Sequence, residues 1–215
     1  MYSFVDFIPP LLDGAIVTLK VMIFSMLIAL VFSFLFGFMK LSKWKVVRFI
    51  ANVYIEVFRG TSLLIQLFWL YFALPMLGVS IPAMTAGILA IGLNYGAYGA
   101  EVVRSSILAV PKGQTEASIA LNMTPFQRLR YIVLPQAMLI MLPTFSNLSI
   151  ELLKGTALVS LVTLSDLTFQ AMSLRTTTMQ TTEIFTLLLV FYFLIGYPMT
   201  LGFKWLERKL SVGRV

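Results

Sequence analysis

The sequence predicts an all-α polytopic membrane protein with five transmembrane helices and a short capped helix between the third and the fourth. Three observations predict it. The 215 residues are 59% hydrophobic and only 12% charged, with a mean hydropathy of +0.93, well outside the usual range of a soluble domain. Five apolar runs are long enough to cross a hydrocarbon core about 30 Å thick. The bases fall in alternate connections, as a membrane orientation requires.

The first run, residues 15–39, is too long for a signal peptide, and the MYSFVDFIPPLLDG before it carries Asp6 and Asp13 but no base, the reverse of a signal n-region. Further spans are expected at 53–74, 84–107, 131–153 and 184–205. The first connection holds Lys40, Lys43, Lys45 and Arg48 without an acid, residues 104–130 hold Arg104, Lys112, Arg128 and Arg130, and the tail holds Lys204, Arg208, Lys209 and Arg214. These three segments belong in the cytoplasm. The N-terminus, the PMLGVSIPA loop and residues 154–183 then lie outside, which is the alternation five crossings demand. Residues 154–183 are too polar for a clean span, although ALVSLV can dip into the membrane. With no internal repeat and no linker, residues 1–215 read as one transmembrane domain in a cell membrane, surrounded by lipid.

The 16 Lys and Arg against 9 Asp and Glu express orientation, and no nucleic-acid partner is expected. Without cysteine or histidine there are no disulfides, Cys/His metal sites, thiol nucleophiles or His-based triads. Neither a cofactor nor a metal is expected.

The least membrane-like stretch of the interior is TEASIALNMTPFQRLRYIVLP. In its first part Ala117, Ala120 and Leu121 share a helical face, small and weakly apolar. Asn122 stands where the helix would stop, being among the few residues that tolerate the left-handed conformation. Thr124, Pro125 and Gln127 fit the N-cap, N1 and N3 positions of a following helix, a capping box with proline in its preferred place. By local pattern this is either a docking element for another protein or an ordinary interhelical loop.

The stretch resembles the EAA loop of the inner-membrane subunits of ABC importers: Glu-Ala-Ala, three residues, Gly, nine residues, then Ile-x-Leu-Pro. Glu116, Ala117, Ser118, Asn122, Ile132, Leu134 and Pro135 stand at those spacings, five of the seven matching, with Ser118 replacing an alanine and Asn122 the glycine. YIEVFRGTSLLIQLFWLYFALP, NYGAYGAEVVRSSILAVPKGQTEA and LSIELLKGTALVSLVTLSDLTFQA resemble the polar amino-acid branch of these permeases, and the stretch around Glu151 is similar to its ectoine and hydroxyectoine members. Ser62 stands where that family commonly has proline. The resemblance implies the type I ABC importer permease fold, with residues 111–135 as the coupling loop. It also implies ATPase subunits below, a second permease subunit, either a copy or a homologue, and an extracytoplasmic solute-binding protein. Gln114, Glu116, Ala117, Ser118, Ala120, Leu121 and Asn122 would then form the contact with the ATPase. The chain has no G-x-x-x-x-G-K-[ST], so it is expected to be no enzyme, with ATP hydrolysis coming from a partner.

Polar residues inside the spans are functional candidates because an unpaired charge there is costly. Glu56 and Arg59, and Glu101 and Arg104, are three apart and can meet on a helix face; for Glu56, Glu101 and Arg104 ion pairs between helices are the expected role. Arg59 is followed by Gly60 and Thr61, where a helix can loosen and bare amides can face a ligand. A small polar zwitterion needs a donor cluster and an acceptor cluster: Arg59, Gly60 and Thr61 could supply the first, Asn94, Asn147 and Glu151 the second. The alternatives are interhelical hydrogen bonds for the two asparagines and a place in the outer headgroup layer beside Lys154 for Glu151. Tyr95 and Tyr98 either line the cavity or fill space, and the small residues of NYGAYGAE read as close helix packing. The rival function is a channel assembled from copies of this chain; an intramembrane enzyme is weaker, since no nucleophile and base are spaced together.

Overall fold

The computed structural model describes residues 4–211, all-helical with no strand among the described residues. Residues 1–3 and Arg214, which entered the orientation argument, lie outside them. Helix α1 (Phe4–Lys40) is 37 residues long and starts well before the expected boundary at residue 15, because FVDFIPPLLDG joins it. Three helical stretches are long and apolar enough to cross a membrane: Asp6–Lys40, Pro125–Val162 and Thr181–Leu210.

The second expected span is not one helix. Its two halves, α2 (Lys45–Gly60) and α3 (Leu63–Phe68, running on through a π turn Trp69–Ala73 and a 3-10 turn Leu74–Leu77), meet at 102°. Thr61 and Ser62 are both extended (φ −118°, ψ 153° and φ −69°, ψ 134°), and two extended residues in succession end any α-helix. Counting this bent pair as one gives four spans. The remaining expected run, the third, is α4 (Ala83–Ala109), which at 27 residues is long enough but is diluted in hydropathy by glycine, asparagine and tyrosine.

That dilution serves packing. α4 lies along α1 at the centre of the bundle, and its small residues remove the space a side chain would need. A Cβ on Gly92 would come within 2.8 Å of the Ile28 Cβ, and one on Gly96 within 2.9 Å of the Phe32 Cβ. The close-packing reading of NYGAYGAE therefore holds. At one end of this contact the Glu101 carboxylate takes Lys40 Nζ at 2.9 Å and Arg104 Nε at 2.9 Å, tying α1 to α4. This is the expected structural pairing. Glu56 and Arg59, by contrast, form no ion pair with each other.

After α4 come α5 (Lys112–Ala120), α6 (Pro125–Arg128) with a π turn Leu129–Val133, and α7 (Leu134–Gly155), which tightens into a 3-10 turn Thr156–Val162. Val159 and Val162 enter the main core with Val21, Ile91, Leu67 and Leu152, so ALVSLV packs inward. α8 (Leu167–Thr178) and α9 (Thr181–Ser211) complete the chain. α9 leaves Leu189, Phe193, Leu194 and Trp205 exposed, as suits a helix whose solvent is hydrocarbon.

The start of α8 is held in an unusual way. The Asp166 carboxylate accepts hydrogen bonds from Thr168 N (3.1 Å) and Phe169 N (3.0 Å), an ordinary N-cap, yet the residue is fully buried. Thr18 on α1 accepts a hydrogen bond from Leu167 N, and a Cβ on Gly14 would stand 2.8 Å from Leu167 Cα. Pressed against α1, the carboxyl is raised by burial to about 6, against the lowering effect of its backbone donors.

Candidate functional site

The break between α2 and α3 frees backbone carbonyls that no helix satisfies, and side chains take them over. The Gln66 amide donates to the carbonyls of Phe58 (2.9 Å) and Thr61 (3.3 Å) and to Thr61 Oγ1 (2.7 Å). Asn94, reaching across from α4, donates to the same Phe58 carbonyl at 2.9 Å and to Gln66 Oε1 at 3.1 Å. Thr61 Oγ1 in turn donates to the Val57 carbonyl at 2.7 Å. Asn94 thus spends both amide hydrogens on the bend. Its interhelical role is the one the geometry displays.

Beside this joint the last turn of α2 carries Arg59, exposed and without an ion pair. Its guanidinium carbon lies 5.2 Å from the centre of the Tyr98 ring, within cation–π range. Tyr98 and Tyr95 are neighbours on α4 with ring centres 6.3 Å apart, and Tyr95 Oη donates to the Glu151 carbonyl on α7 at 2.8 Å. The rings therefore form a ladder from Arg59 to Glu151. The Glu151 carboxylate and Asn147, one turn earlier on α7, are both exposed, and neither takes part in an ion pair or a side-chain hydrogen bond. A Cβ on Gly60 would meet nothing within 4 Å, so the backbone there is open.

Of the residues expected to bind substrate, Arg59, Gly60, Thr61, Asn94 and Tyr98 gather at the break, while Glu151 and Asn147 stand across the ladder on α7. The arrangement puts a cation with five donors at one end and a free carboxylate at the other. Tyr95 was weighed only as lining the cavity or filling space, and Gln66 was not among the expected residues. The signal for Gln66 was a lone amide within LLIQLFWLYF, which a membrane interior tolerates only for a reason.

The expected contact helix is present as α5, Lys112–Ala120, with Leu121 just past its end. Gln114, Glu116, Ala117, Ala120 and Leu121 are exposed; Ser118 alone is buried, its hydroxyl donating to the Thr115 carbonyl at 2.6 Å. Asn122 adopts φ 56°, the left-handed turn expected of it. The capping box is complete: Gln127 N donates to Thr124 Oγ1 at 3.3 Å and Thr124 N to Gln127 Oε1 at 2.9 Å. The corner after the helix is thus fixed, while its N-terminal end at Pro111 has no side-chain cap; its outer face is exposed, with Gln114 Oε1 accepting a hydrogen bond from Gln136 Nε2 at 3.4 Å.

Residues 29–212 match the family described as the binding-protein-dependent transport system inner membrane component. The chain belongs to that family. Among relatives of this family member, a protein of Sinorhizobium fredii named as a probable amino-acid ABC transporter permease, y4tF, is 46% identical over 212 residues, covering 96% of this chain and 89% of that one. The glutamine transport system permease protein GlnP of Escherichia coli is 34% identical over 207 residues, 95% and 94% of the two chains. Among solved structures, an amino acid ABC transporter crystallised with histidines superposes with a TM-score of 0.89 at 36% identity, covering 97% of this chain and 99% of that one. The inward-facing methionine transporter MetNI, at 22% identity and a TM-score of 0.78, shares the fold over 93% and 95% of the two chains. The expected importer permease fold is borne out, and the rival channel finds no support among these relatives.

Proposed function

We propose that the chain is the membrane-spanning permease subunit of an ATP-driven importer for polar amino acids or related zwitterionic solutes such as ectoine. ATPase subunits seat α5, a second permease subunit completes the pathway, and an extracytoplasmic binding protein delivers the solute. The reading places the α5 end and the C-terminus in the cytoplasm and the N-terminus outside, on the distribution of bases. Arg59 with Gly60 and Thr61 holds the solute's carboxylate, Glu151 with Asn147 its cationic group, and Tyr98 lines the way between. The observation that carries this is the ladder Arg59–Tyr98–Tyr95–Glu151, which leaves two unpaired opposite charges at its ends. Exposed Glu116, Ala117, Ala120 and Leu121, on a helix whose following corner is locked by Asn122 and the Thr124–Gln127 capping box, carry the ATPase contact.

The test is to purify the chain with its candidate ATPase from membranes and measure ATP hydrolysis and bound small molecules by mass spectrometry. Hydrolysis stimulated by the solute-loaded binding protein is expected, together with a bound zwitterion, and Ala117→Trp is expected to cut uptake about tenfold or more by blocking the seat. A chain that purifies alone and passes ions across a bilayer without ATP would replace this reading with the channel.

A further inference from the structure

At the end of the bundle that carries α5 there is a second charged feature, distinct from the ladder. Lys40 at the end of α1, Lys45 and Arg48 at the start of α2, and Arg104 on α4 converge on one open cleft of about 600 Å³, lined also by Phe49 and Leu108. Four bases from three helices line it and no acid does; Glu101, which pairs with Lys40 and Arg104, has both oxygens taken by them. Lys45 and Arg48 have no acid to pair with. Both stand in the first turn of α2, which contains no acidic residue. The positive end of a helix repels cations, so two bases there oppose the fold's own electrostatics. Such a conflict persists where an anion resolves it.

Phosphate oxygens are the anion this donor set suits: a lysine ammonium and an arginine fork beside each other, on an open cleft. The source is indicated by the walls. Phe49 and Leu108 border the same cleft and are largely exposed, 68% and 61%, as are the flanking Trp44 and Val46. A free phosphate or nucleotide has no use for that apolar border, whereas a phospholipid carries its acyl chains along with its phosphate. Lys40 also closes α1, so the cleft sits where the first span leaves the hydrocarbon, at the depth of a headgroup.

We propose that this cleft binds the headgroup of an anionic phospholipid, with Lys45 and Arg48 contacting the phosphate and Phe49 and Leu108 the upper acyl chain. The inference rests on the membrane reading of the chain and is independent of the solute site. By seating on the connection between α1 and α2, the lipid fixes the base of α2, whose other end carries Arg59 and the break.

The test uses the assembled importer in nanodiscs of phosphatidylcholine containing phosphatidylglycerol, followed by native mass spectrometry of lipid retained after detergent exchange. Lys45→Gln with Arg48→Gln is expected to reduce retained phosphatidylglycerol about tenfold or more, at the usual strength of basic side chains near an anionic membrane surface. Lys204→Gln with Lys209→Gln, the same loss of charge on α9, is expected to leave retention unchanged, and the charge-preserving Lys45→Arg with Arg48→Lys to restore it. Lys40 and Arg104 are left alone because they hold Glu101. Equal retention in wild type and the Lys45/Arg48 variant, or an equal fall in the α9 control, overturns the site. Displacement of the lipid by an equal concentration of inorganic phosphate would make it a free-anion site and overturn the lipid assignment. Assembly with the ATPase, checked on the same preparations, is expected to persist in all variants, so loss of this site reads separately from loss of the importer function.

Discussion

Two joints of the chain stop a helix and start another, and they do it by opposite means. The corner between α5 and α6 is built locally: Asn122 takes the left-handed turn, and Thr124 and Gln127 cap each other across three residues. The break between α2 and α3 has no left-handed residue; two extended residues open it, and Asn94, 36 positions along the chain from Phe58, helps to close its hydrogen bonds. A local joint is rigid by itself, while a joint held from another helix is rigid only as long as that helix stays in place. The first suits a contact that must transmit force, the second a site that must respond to what the neighbouring helices do.

The largest effect is expected at Gln66, which holds the distant joint. Gln66→Leu removes a donor from the Phe58 and Thr61 carbonyls and strands one of the two Asn94 amide hydrogens, and is expected to destabilise the assembled protein by about 3 kcal/mol. Thermal unfolding in detergent measures this, and a change below the effect of a corner mutation would mean that the break is held by something else.

Asp166 sharpens the contrast because it combines the two kinds of joint: a local cap on α8, buried by the distant approach of α1. Its folded carboxyl, raised to about 6 from an ordinary value of 3.8, binds a proton more tightly than the unfolded chain does. Its contribution to stability is therefore complete below about pH 4 and is lost as the pH rises through about 6, a loss of about 3 kcal/mol. Asp166→Asn keeps an acceptor for the cap and is expected to flatten that part of the stability profile. An unchanged slope between wild type and variant would assign it to other carboxylates.

At the local corner the effects are smaller and confined. Thr124→Ala removes the cap from Gln127 N and should cost about 1 kcal/mol, with hydrogen exchange rising only in α6. Asn122→Gly, which suits φ 56° without a side chain, is expected to change stability by less than about 0.5 kcal/mol. A Gly variant that melts far below wild type would show that the Asn122 side chain, not its backbone, makes the corner.

The same contrast decides what could be read in advance. The α5–α6 corner was legible residue by residue, since a capping box and a left-handed asparagine depend only on neighbours in the chain. The Glu101–Arg104 pair was legible for the same reason, one helical turn apart. The bend of 102° was visible only as a glycine that could loosen the helix, because its stabilising partners Asn94 and Gln66 lie outside the local pattern. Tyr95 could not be separated from a space-filling ring until α7 brought the Glu151 carbonyl to its hydroxyl. Hydropathy marked only the apolar run from residue 15, whereas α1 begins at Phe4 and takes Pro9 and Pro10 inside it.

Arg59 and Glu151 are the two charged ends of the proposed solute site, and uptake into vesicles of the assembled importer with saturating binding protein tests that role most directly. Arg59→Lys keeps the charge but loses the flat two-pronged donor, and is expected to lower uptake of every solute about tenfold. Glu151→Gln is expected to weaken solutes with a guanidinium or amidinium group more than amino acids with neutral side chains, because only the former lose a full ionic partner. If both variants assemble normally and carry all solutes at wild-type rates, the two charges are structural and the site lies elsewhere.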